Sequence, residues 1–402
     1  MQTRERSLDI PAVQKELKAA GFQGWLFYSF HGSDPLAARI LGLAEGHFLS
    51  RRWFYFIPAE GQPRKLVHRI EMEALDDLPG ERLVYLGWRE LEEKLKQILS
   101  AGGQIAMQYS PNNAVPYVSR VDAGTVELVK SCGVTVVSSA NLVSNFESRL
   151  SEQQFKSHWQ ATENLRKIVF EAFDEIASAI AANRKINEYQ LQQFIWQRFS
   201  HYGMVSNSPP IVAVNEHSGR PHYQPTEHEH AEIKRGDFVL LDIWAKLKEP
   251  ADAVYGDITW TGFVGDSVPE KYKRVFDIVS GARDAAVSYI RQAISQREPI
   301  QGWQVDDVTR NFINERGHGK DFIHRTGHSI GTEVHGNGAN IDNLETQDRR
   351  SLIANTCFSI EPGVYLDEFG VRSEIDVYIT DNEVIIGGQP IQTEVIPIIK
   401  SR

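Results

Sequence analysis

Phe358-Ser-Ile-Glu361-Pro-Gly-Val-Tyr-Leu-Asp-Glu-Phe-Gly370-Val-Arg-Ser-Glu374-Ile-Asp-Val377 reads as two apolar strand runs joined as a hairpin through the turn-like Leu366–Gly370, with Glu361 on one arm and Glu374 on the other. A carboxylate among strand-forming aliphatics is costly to bury unless a cation lies against it. The pattern also stands upstream. Asp242 follows Phe238-Val-Leu-Leu and precedes Ile243-Trp244, and Asp257 opens Asp-Ile-Thr-Trp-Thr-Gly-Phe-Val264. Between the two acid pairs lies His324-Arg-Thr-Gly-His328, running on to His335. Acids and imidazoles gathered on apolar segments point to a bound metal as the compensating cation.

Working outward, the chain after residue 150 repeats itself loosely. Each half has a long helix (about 153–182, then 270–296) and a shorter one (Glu188 to Phe199, then Val305 to Arg316). A histidine-bearing stretch and a pair of acid-carrying strands follow in each. Asp242 and Glu361 lie 361 − 242 = 119 positions apart, and Asp257 and Glu374 lie 374 − 257 = 117 apart. Two similar halves folded back to back would bring four acids together from four strands. Ser151 reads as the N-cap of the first long helix.

The first part of the chain alternates strand and helix signals. Strands are expected at Gly24, Trp53, Lys65, Arg82, Gln104 and Val134, and amphipathic helices at Ile10–Ala20 and Arg89–Ser100. A length of 402 residues implies two domains. The expectation is an α+β chain with an α/β domain over 1–147 and a second domain over 151–402. The net charge of −10 argues against nucleic acid or an anionic membrane as partner. Two distant cysteines, Cys132 and Cys357, argue against a disulfide framework and for a reducing, cytoplasmic setting. The N-terminal run lacks the apolar core of a signal peptide, and no apolar run reaches membrane-spanning length.

Four carboxylates and one imidazole without thiolates form a hard, oxygen-rich ligand set suited to Mn²⁺, Co²⁺ or Zn²⁺. Four carboxylates exceed what one ion needs, so two metals bridged by carboxylates are expected.

Asp242, Asp257-Ile-Thr-x-Thr, Thr326-Gly-His328-x-Ile-Gly with His335, Ile360-Glu361-Pro-Gly-x-Tyr and Arg372-x-Glu374 together resemble the creatinase/aminopeptidase P/prolidase family, the pita-bread metallopeptidases. The resemblance covers the whole chain and implies a creatinase-like accessory domain followed by a duplicated catalytic domain. It implies Asp242, Asp257, His328, Glu361 and Glu374 as ligands of two divalent metals. Glu361 would also take a proton from a metal-bridging water. It implies His222 in Arg220-Pro-His-Tyr as a substrate-side histidine, and His335, with His324 beside it, as stabiliser of the tetrahedral intermediate. Arg372 would lie near the substrate's carboxyl end. The implied substrate is an Xaa-Pro dipeptide or short peptide, and the implied assembly a homodimer. An Xaa-Pro aminopeptidase acting on longer peptides shares every ligand, and a third reading is a non-catalytic binding module of the same fold.

Departures from the family pattern matter for specificity. Asp242 and Asp257 are 257 − 242 = 15 positions apart, about four more than usual, with Lys248-Glu-Pro-Ala as the extra tip. Asp252 is a weaker candidate for the second ligand because it lacks the following Ile-Thr-x-Thr. Trp260, Arg325 and Ser329 stand where the family often has other residues, so each is expected to shape the pocket. His217, His228 and His230 lie in a polar, proline-containing loop and are expected to be solvated.

Overall fold

The structure is a computed structural model and describes residues 8–43 and 49–399. The chain divides into two compact units, Met1–Glu147 and Ser148–Arg402. In the first unit, strands β1 (Gly24–Ser29), β2 (Trp53–Pro58), β3 (Arg64–His68), β4 (Glu81–Tyr85), β5 (Gln104–Met107) and β6 (Thr135–Ser138) form one mixed sheet in the order β4-β3-β2-β1-β5-β6. Only β2 runs against its neighbours. Strand β1 shows why helices cover both faces. Its Trp25 and Phe27 pack with helices α1 (Ile10–Ala20), α2 (Pro35–Leu41) and α5 (Ala140–Glu147). Its Leu26 and Tyr28 pack with α3 (Trp88–Ile98) and α4 (Ala123–Ser131).

The second unit opens with α6 (Glu152–Ala181), whose capping box pairs Ser151 with Gln154. Helix α7 (Glu188–His201) starts from a second such box, Asn187 with Gln190. Strands β7 (Met204–Val205), β8 (Ile211–Val214), β9 (Phe238–Leu247) and β10 (Gly256–Phe263) follow, with β7, β8 and β10 all antiparallel to β9. The second half repeats the plan with α8 (Glu270–Gln296), α9 (Gly302–Asn314), β11 (Ser329–Ile330), β12 (Thr356–Ile360), β13 (Gly363–Tyr365), β14 (Gly370–Arg372), β15 (Ile375–Ile379), β16 (Val384–Ile386) and β17 (Ile396–Pro397). Strands β11, β12, β15 and β16 form one sheet, and β17 adds to β10.

One face of each sheet packs on its own helices. Val212, Val239, Leu241, Ile243, Ile258 and Trp260 meet residues of α6 and α7, while Phe358, Ile360, Ile375 and Val377 meet residues of α8 and α9. Successive side chains alternate faces, so Asp242, Asp257 and Thr259 emerge on the side of their sheet opposite the helices. The hairpin keeps one register along its arms, Ile360 opposite Ile375 and Gly363 opposite Arg372. Glu361 and Glu374 therefore stand opposite each other between these pairs. The turn at Leu366 closes with its N–H donating to Phe369 O at 2.9 Å.

Two glycines of the motifs have a steric reason. A Cβ on Gly327 would lie 1.9 Å from Ser359 O, which only bare backbone avoids where the His328 segment crosses β12. A Cβ on Gly363 would lie 2.4 Å from the Tyr365 hydroxyl.

Candidate metal centre

The two sheets of the second unit are tied edge to edge where the acids sit. Asp257 N–H donates to Asp376 Oδ2 at 2.9 Å, and Glu374 N–H donates to Thr259 O at 3.4 Å. In the β9–β10 register Asp257 faces Trp244 and Thr259 faces Asp242, which sets Asp242 and Asp257 diagonally on one face. Asp257, His328 and Glu374 are all buried, and each offers one ligand atom within 4.8 Å of the others. Asp257 Oδ1 is buried without a hydrogen-bond partner. A buried carboxylate oxygen left bare among other acids fits a cation ligand better than a structural acceptor.

The other two acids border this cluster. His328 Nε2 lies 3.4 Å from Glu361 Oε1 and 3.6 Å from Asp257 Oδ2. Ser359 Oγ accepts from His328 N–H at 3.0 Å and donates to Glu361 Oε1 at 3.1 Å, so one hydroxyl orients both groups. Asp242 accepts from the Arg372 guanidinium. Arg372 is buried, and its remaining nitrogens donate to Thr259 Oγ1 at 3.1 Å and the Tyr365 hydroxyl at 2.9 Å. Thr259 Oγ1 in turn donates to Glu374 Oε2 at 2.7 Å. Arg372 thus serves the acids directly, and meeting a substrate carboxylate would require it to exchange one of these bonds.

The histidines sort by depth. His324 Nε2 meets the Tyr365 hydroxyl at 2.6 Å and its Nδ1 meets Arg325 O at 2.7 Å, so both ring nitrogens are engaged. His335 is exposed and stands edge-on to His328 with ring centroids 4.4 Å apart. His222 is exposed too, and its charge acts on both His324 and His335.

Burial dominates the electrostatics. It raises the Asp257 and Glu374 carboxyls well above the usual range, and the neighbouring acids add to the effect. It raises Glu361 to about 7. Burial lowers His328 well below its ordinary value and His324 to about 3, and the ring of His335, shielded where it turns in against His328 although the residue is exposed, is lowered to about 4, with nearby cationic groups acting in the same direction. Neutral imidazoles are the form able to bind a cation or donate to a developing oxyanion.

Three expectations change. Trp260 does not shape the pocket: it lies on the helix side of β10, 5% exposed, with its ring 5.1 Å from that of Phe170. Ser329 acts indirectly, its Oγ accepting Gly338 N–H at 3.0 Å beneath the loop that follows His335. His217 is not a solvated loop histidine. Its Nδ1 lies 3.0 Å from both oxygens of the fully buried Glu188, and its ring stacks on Tyr223 at 4.2 Å. Asp252 lies in the tip between β9 and β10, outside the cluster of Asp257, His328 and Glu374.

Sequence reasoning passed over Thr259, Ser359, Tyr365 and Asp376. Thr259, Ser359 and Asp376 each stand two positions from a site acid, and Thr259 and Tyr365 lie inside the quoted motifs, which was the signal available. Tyr365 lies four positions from Glu361, so its bonds to His324 and Arg372 were not legible from nearness to an acid.

The profile of metallopeptidase family M24 matches residues 161–381. The Xaa-Pro dipeptidase of Pyrococcus furiosus is 28% identical over 268 residues, 63% of this chain and 72% of that one. Among solved structures, the prolidase of Thermococcus sibiricus superposes with a TM-score of 0.61 at 24% identity, covering 99% of both chains. Dipeptidase PepE of Mycobacterium ulcerans gives a TM-score of 0.66 at 20% identity, covering 96% of this chain and 97% of that one. These structural likenesses carry the pita-bread fold.

Proposed function

The chain belongs to metallopeptidase family M24, and on that premise we propose that it hydrolyses the Xaa-Pro peptide bond, with dipeptides as its main substrates. The observation that carries the reading is the convergence of Asp257, His328 and Glu374 within 4.8 Å, with Asp242 and Glu361 at its border. These five residues would hold two divalent cations, Mn²⁺ foremost and Co²⁺ or Zn²⁺ as substitutes. The bare Asp257 Oδ1 fits that load. When bound, the cations supply Lewis acidity at the carbonyl and a more acidic attacking water.

The protein's own groups then divide the work. Glu361, at the border of the cluster, would accept a proton from the attacking water and return it to the leaving proline nitrogen. The C–N bond breaks as that proton reaches the proline nitrogen, which leaves as a secondary amine. Ser359 keeps the Glu361 carboxylate aimed. His335 and His222, both exposed, would donate to the oxyanion and to the substrate. His324, with both ring nitrogens engaged, supports this array through Tyr365 and Arg372. We place the enzyme in the cytoplasm as a homodimer, on resemblance; light scattering tests the dimer.

The deciding experiment is a substrate panel with Mn²⁺ that compares Xaa-Pro dipeptides with Xaa-Pro tripeptides. Preference for dipeptides supports the proposal. Preference for longer peptides makes the chain an Xaa-Pro aminopeptidase. Substoichiometric metal after purification, with no hydrolysis on adding Mn²⁺, would make it a binding module.

A further inference from the structure

We propose that Trp244 selects the side chain that precedes proline. The assignment rests on the Xaa-Pro reading above and deepens it. The β9–β10 register sets Trp244 directly opposite Asp257, and strand alternation puts it on the same face as Asp242. Opposed residues on one face have Cβ atoms about 5 Å apart. The indole is therefore the bulky group beside the acids, and it is only partly buried.

Its surroundings define a wall. On one side it packs with Ile211, Ala213, Tyr223 and Leu240, a patch that adjoins His222 through Tyr223. On the other it packs with a cluster containing Tyr255, Ile330 and Val334, which adjoins His335 through Val334. The indole thus bridges the elements that carry the two exposed histidines. Its Nε1 donates to Asn207 Oδ1 at 3.0 Å, which fixes the ring plane. A rigid aromatic surface held beside the cluster, between two groups proposed to meet substrate, is a steric gauge. The attacked carbonyl belongs to the residue before proline. That residue's side chain is one bond removed from the reacting centre, within reach of the indole. Proline is constant across substrates, so a wall here discriminates through the first residue.

The test measures kcat/KM for Ala-Pro, Leu-Pro and Phe-Pro with wild type, Trp244→Ala and Trp244→Leu, and Mn²⁺ affinity on the same samples. Removing the indole opens room for bulk, so the Phe-Pro to Ala-Pro ratio is expected to rise about tenfold or more in Trp244→Ala. Trp244→Leu, which keeps a strand-compatible apolar side chain, is expected to fall between, and decides the matter if the alanine variant does not fold. An unchanged ratio in active variants, or an equal fall on all three substrates, overturns the assignment. So do variants that bind Mn²⁺ as wild type does yet hydrolyse nothing. If wild type hydrolyses none of the panel, the Xaa-Pro reading itself fails and this assignment falls with it.

Discussion

Glu361 couples the acid cluster to the chemistry, because its carboxylate lies 3.4 Å from His328 Nε2 and is aimed by the Ser359 hydroxyl. Glu361→Ala is expected to cut kcat by roughly 10²-fold or more and to weaken metal retention. Retained turnover would remove the base assignment. His335→Ala separates the roles, since His335 stands beside His328 and outside the acid cluster. Turnover is expected to fall by about 10²-fold with bound metal largely kept. Metal lost on His335→Ala, measured by elemental analysis, would make His335 a ligand. The same carboxyl gives a pH dependence with a definite sign. A group that holds its proton up to about 7 must release it for a cation to bind, and the raised Asp257 and Glu374 carboxyls act in the same sense, so Mn²⁺ affinity rises with pH through this range. Calorimetric titrations in buffers of different ionisation heat read the released proton, and affinity that falls with rising pH in this window would contradict the assignment.

At the scale of elements, one buried acid organises the loop that carries His222. Glu188 begins α7 and accepts from Val214 N–H at 2.8 Å, Tyr223 OH at 2.7 Å and Ala231 N–H. His217 closes the same clamp. Glu188→Ala leaves several buried donors unmet, at about 1–3 kcal/mol each by the general cost of an orphaned group. Denaturant unfolding is therefore expected to show a loss of a few kcal/mol, roughly the cost of two such groups. A loss under about 0.5 kcal/mol, the size of a neutral surface change, would mean that the clamp contributes nothing. Much of this scale was legible in advance. Helices Ile10–Ala20 and Glu270–Gln296 fall where periodicity puts them, and Ser151 caps α6. The short helices α2, α4 and α5 gave too few turns for a periodic signal. The Glu188 clamp was invisible because its partners lie 26 to 43 positions away, and nothing local marks them.

For the whole molecule, a cation that binds only the folded chain stabilises it by mass action, about 2.7 kcal/mol at a hundredfold excess over Kd. Hydrogen exchange with and without Mn²⁺ is expected to show added protection in β9, β10, β12 and β15 and around His328. Protection gained mainly in Met1–Glu147 would place the metal elsewhere. No helix among the described residues is long and apolar enough to cross a membrane.

The sequence alone determined the acid-bearing hairpins and the duplicated halves, and from them came the expectation of a metal site. These follow from local apolar runs, turn residues and spacing. It could not tell what each side of a strand meets: Asp257, Thr259 and Thr261 mark one row of β10 as polar, but β10 is buried on both faces, so polarity did not say whether that row meets solvent or a site. Tertiary packing made that choice. It turned Trp260 into the helix-packed core and Trp244 towards the acids, and it brought Arg372 to Asp242 across 130 positions of chain.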